Sequence, residues 1–264
     1  MTQIDYGLDI TRVVLAVSNL DKVSAFYKRT VGLNVLHQDG SHAVLGAGDV
    51  ALLELQHDPH ATRQPHAPGL FHTAFLLPKR GDLASWLDMA AKHNVYADGA
   101  SNHPVSEAVY LTDPEGNGVE IYADKPQTAW AGPGGAQNTG RRGIDFDGLM
   151  KLATHWGGAP VGTKIGHVHL QVGDVEEATR VFVDGMGIDL VKKMGGSRFY
   201  SAGGYHHHFA ANAHLSRYRG APTTPATGLR RVDVEIDTPA ALPETIEAPW
   251  GTTFGLSHRA ALAA

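Results

Sequence analysis

The chain has no cysteine among its 264 residues, which excludes disulfide bonds and thiolate metal sites. Any metal ion it binds must therefore be held by nitrogen and oxygen donors. It also lacks an apolar run approaching the roughly eighteen residues of a membrane-spanning helix. The opening residues Met1 to Asp5 carry neither a basic region nor an apolar segment, so a secretory signal is not expected and a cytoplasmic location is. A formal charge of −5 without a basic cluster argues against nucleic acid as a partner, as the missing apolar run does against a membrane. What the chain does carry is histidine, 16 in all. Its length suits one large domain or two of about 130 residues.

The most informative stretch runs from His103 to Tyr122. It reads as a strand (Ala108 to Leu111), a turn (Asp113-Pro-Glu-Gly-Asn-Gly) and a second strand (Val119 to Tyr122). Proline fixes φ and Asn-Gly accepts positive φ, so the turn closes a hairpin. Glu120 is a carboxylate inside the apolar strand Val-Glu-Ile-Tyr. On an edge strand it would face solvent. Buried, it needs a cation or hydrogen-bond donors.

The rest of the chain is repetitive. Strand Ile10–Val17 is followed by Asn19 as N-cap, a helix Leu20–Thr30, and strands near Leu33–Gln38, His42–Leu45 and Val50–Gln56. A second unit has the strand Leu70–Leu77, the helix Gly81–His93 and the hairpin above. Gly132–Gly140 has loop composition, and a short helix is expected over Phe146–His155. A third unit then repeats the first. Thr11–Val17 aligns with Gly166–Val172, Gly32 with Gly187, and Gly46–Asp49 with Ser201–Gly204, all at an offset of 155 residues. A fourth unit opens on Gly228–Ile236 and is degenerate, with Pro239 and Pro243 interrupting its helix. Each complete unit is βαβββ, so the fold class is α+β.

The stretch from His103 to Glu120 resembles the signature of the type I extradiol ring-cleaving dioxygenases. That signature is a His, an apolar residue with Tyr, an acidic residue with Pro, a Gly and a closing Glu; here these are His103, Val109-Tyr110, Asp113-Pro114, Gly116 and Glu120. Ser101 departs from it at a flanking position. Four tandem βαβββ modules resemble the vicinal oxygen chelate superfamily, with its glyoxalase/bleomycin-resistance/dioxygenase fold of mixed cupped sheets and outer helices. The expected organisation is modules one and two over residues 1–128, a linker with a short helix over 129–162, and modules three and four over 163–264. The resemblance to two-domain bacterial catechol 2,3-dioxygenases implies an Fe(II) cofactor, a small aromatic diol and O2 as reactants, and a homo-oligomer.

In that superfamily two modules pair around one metal, with a His on the first strand of each and a Glu on a last strand. The second module supplies His72 and Glu120. At the matching first-strand position the first module has Arg12 and the fourth Arg231, which cannot ligate; the third has His167. The second and third modules are therefore expected to pair, with the first and fourth paired outside them. His169 shares a strand face with His167, and only the repeat alignment separates them. In Tyr205-His-His-His-Phe209, the offset sets Phe209 against Glu54, so alternation aims His207 at the cavity and His206 and His208 away. The resemblance makes His207 the acid/base, with His103 and Tyr110 orienting the substrate. Glu54 keeps a Ni- or Zn-dependent glyoxalase-like isomerase or lyase as an alternative, and the Arg substitutions keep a metal-free binding protein. A buried Arg12–Glu54 pair is expected, joined from module four by Arg231 or Asp233, and losing one partner would cost about 3–5 kcal/mol.

Overall fold

The computed structural model describes residues 6–130, 143–237 and 242–259. The loop expected at Gly132–Gly140 and the expected helix breaker Pro239 lie outside these residues. Module one comprises β1 (Leu8–Val17), α1 (Leu20–Phe26), β2 (Asn34–Gln38), β3 (His42–Ala47) and β4 (Val50–His57). Module two comprises β5 (Gly69–Leu76), α2 (Arg80–Lys92), β6 (Gly99–Asn102), β7 (Ser106–Thr112) and β8 (Gly118–Asp124). After α3 (Phe146–Met150), module three comprises β9 (Lys164–Gln171), α4 (Val175–Thr179), β10 (Asp189–Met194), β11 (Ser197–Ser201) and β12 (Phe209–Asn212). Module four retains β13 (Gly228–Ile236), β14 (Thr245–Glu247) and β15 (Thr253–His258) among the described residues.

Within each module the first strand lies parallel to the last: β1 beside β4, β5 beside β8, β9 beside β12, and β13 beside β15. Between modules, β5 pairs antiparallel with β9 and β1 with β13. The second and third modules therefore form one cup and the first and fourth another, as the ligand pattern requires. The two cups meet through the pair Ile10–Ile165, and the described strands form a single 15-stranded sheet.

Alternation divides the strand residues between two environments. Phe75, Val109, Leu111, Val119 and Ile121 join Leu83 and Trp86 of α2 in the main core. Each such buried side chain contributes about 1.5–3 kcal/mol, so this layer holds the strands in place. On the opposite face Ala74, Ala108 and Tyr122 form a small cluster that floors the cup of modules two and three.

Two helices differ from the expected periodicity. The helix expected over Leu20–Thr30 is α only to Phe26, then a π turn over Tyr27–Val31. Module three does the same, with a π turn over Arg180–Gly185 after α4. In both, the widened turn carries a large buried ring, Tyr27 and Phe182. The helix expected over Phe146–His155 ends at Met150.

The turn between β7 and β8 is built by Asp113. Its Oδ1 accepts from the backbone N–H of Glu115 (2.8 Å) and Asn117 (2.9 Å), and Asn117 Nδ2 donates to Oδ2 at 2.9 Å. Positive φ falls at Gly116 (89°), not at Asn117, whose side chain is used to close the turn. Glu115 then reaches module one, where its carboxylate accepts from the backbone N–H of Ser18 at 3.0 Å and of Asn19 at 2.7 Å.

Candidate metal centre

Three strands bring the donors together. The register aligns Ala74 of β5 with Glu120 of β8 on one side and with His167 of β9 on the other. Because Ala74 has no side chain beyond Cβ, the longer groups on either side converge over it. His72 lies two residues earlier on the same face. The strands approach closely there: a Cβ at Gly118 would sit 2.1 Å from the Phe71 carbonyl oxygen, so only glycine fits.

Glu120 Oε2 lies 3.1 Å from His72 Nε2 and 3.1 Å from His167 Nε2, and the two nitrogens are 3.3 Å apart. A first-row ion with donors at roughly 2.0–2.2 Å sets neighbouring donors about 2.8–3.5 Å apart, so the three separations fit one ion. All three residues are buried. Burial pushes the Glu120 carboxyl up, but His167 and His72 outweigh it and hold the pKa well below the usual carboxylate range. Burial lowers His167 in turn. A lowered imidazole pKa at His167 beside a lowered carboxyl pKa at Glu120 favours the protonation states that metal binding needs. His167 Nδ1 is buried with no hydrogen-bond partner among the described residues. Its ring is held by packing instead, with Tyr122 at 5.0 Å and His207 at 4.3 Å between centroids.

The other predicted residues surround this point. His103 Nε2 is 2.8 Å from the Tyr110 hydroxyl, and the Tyr110 ring lies 5.9 Å from His72. His169 faces the same cup, but its Nε2 accepts from Asn212 Nδ2 at 3.0 Å, which turns it away from the three donors. A cavity of about 410 Å³ opens beside the centre, with His72, Tyr110, Arg63 and Arg230 on its wall.

The histidine run corrects the expected alternation. The structure pairs Phe209 with Val168 and Ala210 with His169, so Ala210, not Phe209, stands where module one has Glu54. Phe209 faces the helix layer and stacks on Phe182 at 4.7 Å. Residues 205–208 precede β12 and are not extended strand, so period-two reasoning does not apply to them. His206 and His208, expected to face away, are 6% and 5% exposed. His206 Nε2 meets Asp124 Oδ1 at 3.0 Å, and its Nδ1 meets His207 Nδ1 at 2.8 Å. The Tyr205 hydroxyl donates to Asp124 Oδ2 at 2.9 Å and contacts the Tyr122 hydroxyl at 2.8 Å. Sequence reasoning missed this network. Alternation from Glu120 along β8 could have found Tyr122 and Asp124; nothing local marks Tyr205.

The other cup has the same register with different residues. Val14 pairs with Glu54 as Ala74 does with Glu120, and Arg12 stands where His72 does. Arg12 Nη1 lies 3.0 Å from Glu54, its Nη2 2.9 Å from Asp233, and Arg231 Nε 2.5 Å from Asp233. The expected pair is therefore present, joined by both module-four residues. It is not buried, however: the Arg12 side chain is 41% exposed, so the cost expected for a buried pair does not apply. The group facing Glu54 at this position is a guanidinium, which cannot ligate a metal, rather than an imidazole.

A sequence profile of the Glyoxalase/Bleomycin resistance protein/Dioxygenase superfamily matches residues 9–121. The catechol-2,3-dioxygenase of Bacillus subtilis (strain 168) is 37% identical over 237 residues, covering 87% of this chain and 83% of that protein. The chain belongs to this superfamily. The biphenyl-2,3-diol 1,2-dioxygenase 2 of Rhodococcus globerulus is 26% identical over 163 residues, 56% of this chain and 82% of that one. Within the superfamily these relatives place the chain among the extradiol ring-cleaving dioxygenases. Glyoxalase I from Zea mays shares the superfamily fold, with a TM-score of 0.57 at 15% identity over 95% of this chain and 92% of that one. Among the described residues no helix is long and apolar enough to cross a membrane.

Proposed function

We propose that the chain cleaves a catechol-type ring beside its two hydroxyl groups with O2, using Fe(II) held by His72, Glu120 and His167. The convergence of two imidazole nitrogens and one carboxylate oxygen within 3.3 Å of one another carries this reading. Two nitrogens and one oxygen on one side of an ion leave adjacent positions for a diol and O2, and Fe(II) there would pass electron density between them. Modules two and three are the catalytic unit, spanning the linker expected at 129–162.

The chain's own residues do the remaining work. Burial, and then His167, depress the His207 pKa well below that of a free imidazole. At neutral pH His207 is therefore unprotonated and can take a proton from a diol hydroxyl, returning it to the opened product. Asp124, through His206, orients that ring. His103 fixes the Tyr110 hydroxyl, which orients the substrate beside His72. Phe199, 5.2 Å from His207, and Phe71, 5.3 Å from His72, supply apolar walls for an aromatic ring.

The setting we assign is cytoplasmic, as a homo-oligomer whose partners are a small aromatic diol and O2, without nucleic acid or membrane. The test is anaerobic Fe(II) loading followed by an oxygen-electrode screen of substituted catechols. The expected result is one O2 consumed per ring-opened product. Iron-loaded protein that binds catechols but consumes no O2 would leave the binding-protein alternative.

A further inference from the structure

A second set of imidazole and carboxylate donors converges outside the metal centre, on the β2–β3 hairpin of module one. His37 Nε2 and Asp39 Oδ2 are 3.2 Å apart, while the Asp39 N–H donates to the His42 carbonyl across the turn at 3.0 Å. The topology thus puts all three side chains on one side of the hairpin. Asp39 is held in place: its Oδ1 accepts from Ser41 N–H (2.7 Å), Ser41 Oγ (2.7 Å) and His42 N–H (3.0 Å). That leaves Oδ2 turned toward the imidazoles, 3.2 Å from His37 Nε2 and 3.3 Å from His42 Nδ1. The two rings lie with centroids 4.8 Å apart, tilted 32° to one another. A single donor atom from each of the three residues lies within 4.8 Å of the others.

The dioxygenase reaction has no use for this set, and the Ser41 and His42 N–H groups of the turn are held by Asp39 Oδ1, not by Oδ2 or the two imidazoles. At the repeat offset, module three has Lys192, Met194 and Ser197 on the same hairpin. The His37 and Asp39 side chains are 54% and 46% exposed, so an ion can reach them without any opening of the core. Two nitrogens and one oxygen favour a borderline divalent ion over Mg2+ or Ca2+, which prefer all-oxygen surroundings. We infer that this hairpin is a second metal site, binding Zn(II), Ni(II) or Cu(II) through His37 Nε2, His42 Nδ1 and Asp39 Oδ2. Its open side leaves the remaining coordination positions to water.

The test is calorimetric titration of the chelator-stripped full chain with Zn(II). Wild type should bind one more equivalent than His37→Ala, and Asp39→Asn should weaken that equivalent at least about tenfold, the lower bound seen even for losses outside the ligand set. In a His72→Ala/His167→Ala protein the hairpin equivalent should persist and disappear on adding His37→Ala, which separates it from the central ions. Should that double variant fail to fold, iron-loaded wild type and His37→Ala are compared instead: equal ring-cleavage activity with one fewer Zn(II) is expected. Equal Zn(II) stoichiometry in wild type and a His37→Ala/Asp39→Asn protein would overturn the site.

Discussion

The two cups share a register and differ in what fills it. At matching positions one holds His72 and Glu120 facing His167, and the other holds Arg12 and Glu54 facing Asp233 and Arg231. In the first, a carboxylate sits between two imidazoles in a buried interior, where an uncompensated charge is costly. In the second, fixed guanidinium charge does the compensating, in a setting open enough that Arg12 is 41% exposed. One backbone thus supports either a reactive centre or an ion-pair network, and the choice rests on a few side chains.

The largest effect expected from breaking this contrast is at the inner cup. Glu120→Ala or His167→Ala should weaken metal binding by more than about 100-fold, beyond the range seen for neighbours of metal ligands, and abolish ring cleavage; metal analysis with O2 uptake checks both. His207→Phe should keep the metal and lower turnover by roughly 10²–10⁴, the scale of a lost general acid/base. Metal loss in that variant would instead make His207 a ligand.

Acid should also separate the cups. Burial lowers the pKa values of His167, His169, His207 and His208 in the folded state. The unfolded chain then takes up protons that the native state refuses once the pH drops below about 6.5. Stability is therefore complete above that pH and is lost as the pH falls further. Glu120 adds a loss of the same sign below the usual carboxylate range, as the pH approaches its depressed value. Melting of the metal-free protein should shift down by several degrees between pH 7 and pH 5, and Arg12→Ala should not change that slope. The smallest effect is Arg12→Ala itself: about 0.2–1 kcal/mol by denaturant titration, as for exposed ion pairs, with metal content unchanged. A cost of about 3–5 kcal/mol would mean that the pair behaves as buried.

Much of this contrast was legible before any coordinates. The pairing of the second module with the third, seen in β5 beside β9, followed from asking which first strand carries a side chain able to ligate. What was not legible depends on single-residue slips and on depth. The offset holds through Ser201–Gly204, but Ala210 rather than Phe209 faces His169, and an ungapped repeat cannot show a one-residue shift in a loop of histidines. Helical periodicity over Leu20–Thr30 does not reveal that the last turn is π. The exposure of Arg12 depends on how far module four covers β1, a long-range property no local pattern encodes.

The pairing of the first module with the fourth sets an order on assembly during synthesis. Leu8 pairs with Ile236 in the β1–β13 register, so one edge of β1 waits for nearly the whole chain before it is covered. The β5–β9 pair closes over a much shorter span and can form while module four is still being made. Until then β1 presents Val13-Val14-Leu15-Ala16-Val17 with only β4 beside it, an apolar strand with an open edge. Non-local closures of this kind are slow and expose such edges to other chains. The outer cup, which holds none of the three central donors, is therefore the step at which the nascent enzyme is most exposed to aggregation. Truncations that remove β13 should accumulate in inclusion bodies even though every central ligand is present.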